Sequence, residues 1–195
     1  MTLLDERPTT ARRAMIDSQL RVSGVNDPAV LAAFDAVARE DHVPPALRGN
    51  AYIDRALPLD DGHGLPAPLV HGRMLIEAAP AAGEKVLVVS TNGYLAALAG
   101  AVGCKVSTMT PAYAATKKKG GPFDLILIDG AAEALPASIA AMLGDDGRVV
   151  TGSLERGISR LATGRKAGGA LSLLALAEIG MPAIPEFAAA KAWSF

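Results

Sequence analysis

The run Lys85-Val-Leu-Val-Val-Ser-Thr-Asn-Gly-Tyr94, continued by Leu95-Ala-Ala-Leu-Ala-Gly-Ala-Val102, decides the fold. A short unbroken β-branched stretch that stops at a small polar turn and passes into a helix-like segment is how a doubly wound α/β domain begins its nucleotide-binding half. A ligand of such a domain sits in the crevice beside that turn. Loops of this kind use several glycines so that backbone N–H groups can close on the ligand, and an acidic residue downstream for ribose hydroxyls. Here Gly93 is the single glycine of the turn, and the following stretch Val106-Ser-Thr-Met-Thr110 carries no carboxylate.

Around this centre the chain has 195 residues, 50% of them hydrophobic and 20% charged, enough for one well-buried core. We read a single domain over 1–195, with a helical cap and loop segment over 1–80 and a sheet over 81–195. A formal net charge of -1 supplies no basic field for phosphate backbones, which argues against nucleic acid as a partner. No apolar stretch reaches the roughly 18 residues of a spanning helix, and Met1-Thr-Leu-Leu-Asp-Glu-Arg-Pro8 lacks the basic start and apolar middle of a signal peptide. The expectation is a cytoplasmic protein without membrane attachment. The lone Cys104 forms no intrachain disulfide.

Spacing predicts a first helix over 10–22, ended by Gly24. A second begins at Asp27-Pro28, an N-cap followed by proline in the first helical position, and runs towards His42-Val-Pro-Pro45 with Val30, Leu31, Phe34, Val37 and Ala38 on one face. Residues 45–50 add a helical turn, 51–68 read as a turn-rich loop, and 69–79 as a helix. A second strand is expected over 105–110. Only Pro111 to Gly121 separates it from Phe123-Asp-Leu-Ile-Leu-Ile-Asp129. A parallel crossover needs about a dozen residues, so this stretch has room for one short helix (112–119) and no additional strand. One edge strand of the sheet is therefore expected to be missing. A helix over 135–143, a strand over 147–152 and an antiparallel hairpin of 158–164 with 170–178, turned at Gly164–Gly169, complete the pattern. Trp193 and Phe195 are expected to dock on the domain.

Met15-Ile-Asp-Ser-Gln-Leu20, Val30-Leu-Ala-Ala-Phe34, His42-Val-Pro44, Ala51-Tyr-Ile-Asp54, the central strand, Phe123–Asp129 and Gly147-Arg-Val-Val150 fall in an order and spacing that resembles the protein-L-isoaspartate O-methyltransferases. The likeness covers nearly the whole chain. It implies an α/β fold with a Rossmann-like class I methyltransferase sheet, an N-terminal helical cap and a C-terminal antiparallel hairpin. It also implies S-adenosylmethionine as cofactor and methylation of an isoaspartyl carboxylate, the first step in repair of damaged proteins.

Against that resemblance several positions depart. The family's substrate loop is close to Gly-x-Thr-Ile-Ser-x-Pro, and the matching residues are Gly62, Gly64, Leu65, Pro66 and Pro68, so glycine replaces the threonine and proline the serine. The family's donor loop is close to Glu-x-Gly-x-Gly-x-Gly; Val88, Ser90, Asn92 and Gly93 stand here, with one residue fewer in the turn. Cβ atoms then lie where the backbone must approach a ligand. Ser90, Thr91, Asn92, Gly93 and Asp129 are the remaining cofactor-binding candidates, and Gly64, Leu65 and Pro66 occupy the substrate positions. A helix-capping role for Ser90, Thr91 and Asn92, and a cap of the following turn for Asp129, are the alternatives. An anion could also bind the N–H groups of Gly93 and Tyr94.

His42, His63 and His71 show no metal-ligand spacing, and no metal is expected. Lys117–Lys119 read as a solvated face, with a partner or phosphate contact as the alternative. These departures predict weak or no methyl transfer and a binding or assembly protein with a protein or peptide partner; an active methyltransferase with a rebuilt donor site is the rival. The shortened sheet edge predicts cover from the cap or from a second subunit in a homodimer.

Overall fold

A computed structural model describes residues 3–116 and 120–190, so the predictions for Lys117–Lys119, Trp193 and Phe195 fall outside the described residues. The chain opens with α1 (Leu3–Met15), seven residues earlier than the apolar spacing predicts, and instead of one helix through Val22 it continues as a π turn (Ile16–Leu20) and a 3-10 turn (Arg21–Ser23). The wider turn leaves Met15, Ile16 and Leu20 all buried. Gly24 ends the segment at φ 85, a left-handed value that glycine adopts without steric cost. α2 (Pro28–Ala36) starts as predicted: Asp27 Oδ1 accepts from the N–H of Ala29 at 2.8 Å and of Val30 at 3.0 Å.

The α-helix stops at Ala36, short of the predicted end, because Val37 turns extended and residues Arg39–His42 form a separate 3-10 turn. That break lets Arg39 point inward, where it is fully buried. A further 3-10 turn, Pro45–Asn50, matches the predicted helical turn. Within the stretch read as loop, β1 (Leu57–Pro58) pairs antiparallel with β2 (Gly64–Leu65). Two-residue strands are too short to leave an alternation in sequence, but Leu57 and Leu65 are both buried and hold the hairpin base in the core. α3 (Pro68–Ala78) follows and packs on the main sheet.

That sheet is built from β3 (Lys85–Val89), α4 (Tyr94–Ala101), β4 (Lys105–Met109), α5 (Pro111–Thr116), β5 (Phe123–Ala132), α6 (Ala137–Met142), β6 (Leu143–Glu155), β7 (Ile158–Ala167) and β8 (Ala170–Glu178). The strand order is β4-β3-β5-β6-β7-β8, parallel through β6 and antiparallel beyond it. β4 lies at the edge with no strand beyond it among the described residues, in line with the short crossover. Its Lys105, Ser107 and Thr108 are exposed, and an edge carrying Lys and hydroxyl side chains discourages unwanted pairing. The C-terminal turn falls at Gly168–Gly169 rather than over Gly164–Gly169. Both glycines have positive φ, 57 and 82, as a two-residue hairpin turn requires.

Side chains alternate between two cores. Val86, Val88, Leu125, Leu127 and Val150 face the cap, α3 and α4, whereas Leu87, Val89, Ile126, Ile128 and Val149 belong to the core that includes Ile139 and Met142 of α6 and Ala114 of α5. Burial on both faces explains why the central strands read as unbroken apolar runs. Each such side chain contributes about 1.5 to 3 kcal/mol of hydrophobic stabilisation. Past Leu127, the pairing of β5 with β6 shifts register before resuming at Ala131. On its other side Ala131 exchanges bonds with the later chain: its N–H donates to Pro182 O at 2.8 Å, and its carbonyl accepts from Ile184 N–H at 2.9 Å. Such an irregularity re-aims a strand-end side chain, and here that residue is Asp129. No helix among the described residues is long and apolar enough to cross a membrane.

Candidate functional site

At the carboxyl ends of β3 and β5, the Asp129 side chain is 0% exposed and bonded from three directions. His71 Nε2 lies 2.7 Å from Oδ1, while Ser90 Oγ donates to Oδ2 at 3.0 Å and Asn92 Nδ2 to Oδ2 at 3.2 Å. On the far side of the imidazole, Arg39 Nη1 is 3.3 Å from His71 Nδ1. A guanidinium can only donate, so Nδ1 accepts and Nε2 carries the proton given to Asp129. A neutral imidazole thus bridges a buried cation and a buried carboxylate.

Burial is the largest influence on His71 and lowers its pKa, with Asp129 opposing and Arg39 adding to the fall. For Asp129 burial raises the pKa, but His71 and the bonds from His71, Asn92 and Ser90 outweigh it and the carboxyl sits below the ordinary value. The rest of Arg39 is equally committed: Nε donates to Ala51 O at 2.7 Å and Nη2 to Pro66 O at 2.6 Å. Its Cζ lies 5.0 Å from the ring centroid of Tyr94, a desolvated cation–π contact. Burial pushes the Tyr94 phenol well up, so it stays neutral.

The donor-loop candidates separate in role. Asn92 Oδ1 accepts from Tyr94 N–H at 2.8 Å, so the N–H that an anion would use is already satisfied at the start of α4. Ser90 Oγ also accepts from Asn92 N–H at 3.3 Å. Gly93 stands at φ 76, and a side chain there would have room but the wrong backbone conformation. The Asn92 carbonyl accepts from His42 Nδ1 at 2.9 Å, which pins the loop to the cap. Thr91 faces the β1–β2 hairpin instead: burial raises the Asp61 carboxyl, but His63 and Thr91 outweigh it and hold it below its usual range. Ser90, Asn92 and Asp129 are therefore brought into one network, with Gly93 shaping the turn and Thr91 outside it. Asp129 bonds α3 and the loop between β3 and α4 rather than capping the turn that follows it.

Gly64, Leu65 and Pro66 lie together on and just after β2. A Cβ on Gly64 would come within 2.8 and 2.9 Å of Pro182 side-chain carbons, so Pro182 fills the space a larger residue would need. Leu65 is buried in the core, and the Pro66 carbonyl is held by Arg39. Beside them lies a cavity of about 850 Å³ walled by Leu57, His63, Gly64, Leu69, Ile179 and Met181 among others, and by none of the donor-loop residues. Sequence reasoning misses Arg39 and weighs His71 only as a metal ligand. The available signal was a charged residue just past the apolar face of α2, and a histidine inside the apolar run Leu69-Val-His-Gly72. Among the described residues, no group of three or more His, Cys, Asp or Glu converges to hold a metal ion.

The parallel sheet with its antiparallel terminal hairpin, and a polar cluster at the carboxyl ends of β3 and β5, define a Rossmann-like methyltransferase fold. The family profile of protein-L-isoaspartate(D-aspartate) O-methyltransferase matches residues 10–110. The Methylorubrum extorquens protein-L-isoaspartate O-methyltransferase is 32% identical, over 72% of this chain and 72% of the relative. The Anaeromyxobacter protein-L-isoaspartate O-methyltransferase 2 is 34% identical, over 73% and 70%. This chain belongs to the protein-L-isoaspartate O-methyltransferase family. In solved structures, a Plasmodium falciparum protein described as a protein-L-isoaspartate O-methyltransferase, in complex with S-adenosyl-L-homocysteine, superposes with a TM-score of 0.75 at 17% identity, covering 90% of this chain and 98% of that one.

Proposed function

We propose that this chain keeps the family scaffold but transfers methyl groups weakly or not at all, and that it works as a cytoplasmic binding protein for a protein or peptide segment. The observation that carries the reading is the state of Asp129: its carboxylate, the best remaining ligand contact in the crevice, is fully buried and engaged by His71, Ser90 and Asn92.

S-adenosylmethionine is the donor that family membership and the S-adenosyl-L-homocysteine complex of the Plasmodium relative support for this crevice. The residues present fit it poorly. β4 ends without a carboxylate for the ribose, and Thr110 Oγ1 accepts from Tyr113 N–H at 3.3 Å as a helix cap. Leaving ribose hydroxyls unpaired costs about 2 to 3 kcal/mol, or roughly a hundredfold in affinity, and several such losses place the dissociation constant near millimolar. Calorimetric titration with S-adenosyl-L-homocysteine tests this: the expected result is millimolar or weaker binding, and a micromolar constant would overturn it.

The second reading is an active protein-L-isoaspartate O-methyltransferase, favoured by the identity shared with relatives of that name over about 70% of their length. An isoaspartyl carboxylate is already ionised at neutral pH and needs no general base, so alignment with the methyl group is the chief demand. Base-labile label on an isoaspartyl peptide, after incubation with radiolabelled donor, would establish the enzyme; an unlabelled peptide supports the binder.

A further inference from the structure

The tip of the β1–β2 hairpin is tied to the opposite end of the chain by one imidazole. His63 Nε2 lies 3.0 Å from Glu186 Oε2, in the 3-10 turn Pro185–Phe187, and on the other side of the ring Nδ1 lies 3.3 Å from Asp61 Oδ1. Asp61 Oδ1 is not aligned to accept from Nδ1 and takes its hydrogen bond from the His63 backbone N–H at 3.0 Å instead. Nδ1 is therefore buried, without a hydrogen bond, beside a carboxylate.

A neutral imidazole has one N–H and one lone pair. With its proton directed to Glu186, the neutral ring turns a lone pair towards Asp61, whereas the imidazolium still donates to Glu186 and also places its positive charge 3.3 Å from the Asp61 carboxylate. The remaining charged groups sharing this wall are Asp54 and Arg55, an opposite pair on the cavity lining. Gly62, His63 and Gly64 line the cavity directly. The hairpin base is secured separately, by buried Leu57 and Leu65 and by the packing of Gly64 on Pro182.

We propose that His63 is a protonation-controlled latch that holds the hairpin tip against the C-terminal turn at the edge of the cavity when charged and loosens it when neutral. Burial lowers the pKa of His63, but Glu186 and Asp61 outweigh it and raise it above the ordinary 6.5. The sign follows: a raised folded-state value means the latch is fully engaged below pH 6.5 and fades as pH rises through the folded value. The latch operates whether or not the crevice accepts a methyl donor, so its test and the titration above fail independently.

The experiment is solution NMR on the full chain, following the His63 ring signals with pH in the wild type, E186Q and D61N, alongside amide protection factors for residues 59–66 at pH 6 and pH 8.5. We expect His63 to titrate above 6.5 in the wild type and lower in E186Q. Protection of the tip should fall about two- to fivefold at the higher pH, the range for a partly exposed ion pair, and this fall should vanish in H63Q. Titration at or below 6.5, or the same pH profile of protection in H63Q as in the wild type, would overturn the latch.

Discussion

The crevice beside β3 and the cavity beside the β1–β2 hairpin are made from opposite materials. In the crevice, charged and polar side chains turn inward and satisfy one another: Arg39, His71, Asp129, Ser90 and Asn92 form a closed chain of bonds. Along the cavity of about 850 Å³, apolar walls from Leu57, Leu69, Ile179 and Met181 are joined by polar groups from Asp54, Arg55, His63 and Ser159. A ligand entering the crevice must break buried charged bonds, which are expensive to leave unmade. One entering the cavity can cover its apolar walls without breaking that network, and releasing water from apolar surface is favourable. The contrast explains why the residues with the most chemistry are not the most accessible ones.

The largest effect expected concerns the crevice. Asp129→Ala leaves Arg39 charged and buried without its counterion, and breaking such a pair costs about 3 to 5 kcal/mol. Urea unfolding measures it, and a loss below about 1 kcal/mol would mean that the network is no tighter than surface polar contacts. A smaller effect is expected at the cavity side. Gly64→Thr forces a side chain against Pro182, and overpacking of this kind costs about 1 to 3 kcal/mol. Adding Pro182→Ala should recover most of the loss, so an additive double mutant would show that Pro182 is not what excludes a side chain at Gly64.

The smallest effect serves as a control remote from both regions. Arg148 donates to Glu84 at 2.5 and 3.0 Å and clamps the end of α3 through the Ala78 and Ala79 carbonyls. The hydrogen bonds from Arg148 hold the Glu84 carboxyl below its usual 4.5. This contribution is therefore present above pH 4.5 and lost as pH falls through the depressed value. E84Q should flatten that part of the acid limb in a pH series of denaturation midpoints, with tip protection at residues 59–66 unchanged. A change at the tip would show that the hairpin is not governed locally.

The sequence by itself determined the sheet, the capped start of α2 at Asp27-Pro28 and the short crossover that leaves β4 at an edge, because these rest on local spacing and apolar periodicity over many residues; the family was legible through the resemblance of its motifs, such as Met15–Leu20 and Ala51–Asp54. It also singled out Ser90, Asn92 and Asp129 as neighbours of one crevice, since a strand end places them there in any fold of this kind. Only the tertiary structure decided what those groups bond to. Arg39, His71 and Asp129 stand 32 and 58 residues apart along the chain, and nothing local distinguishes an arginine that turns inward from one that stays in water. The contact of Gly64 with Pro182 and that of His63 with Glu186 are likewise absent from any window of sequence, because folding brings together segments that share no local pattern.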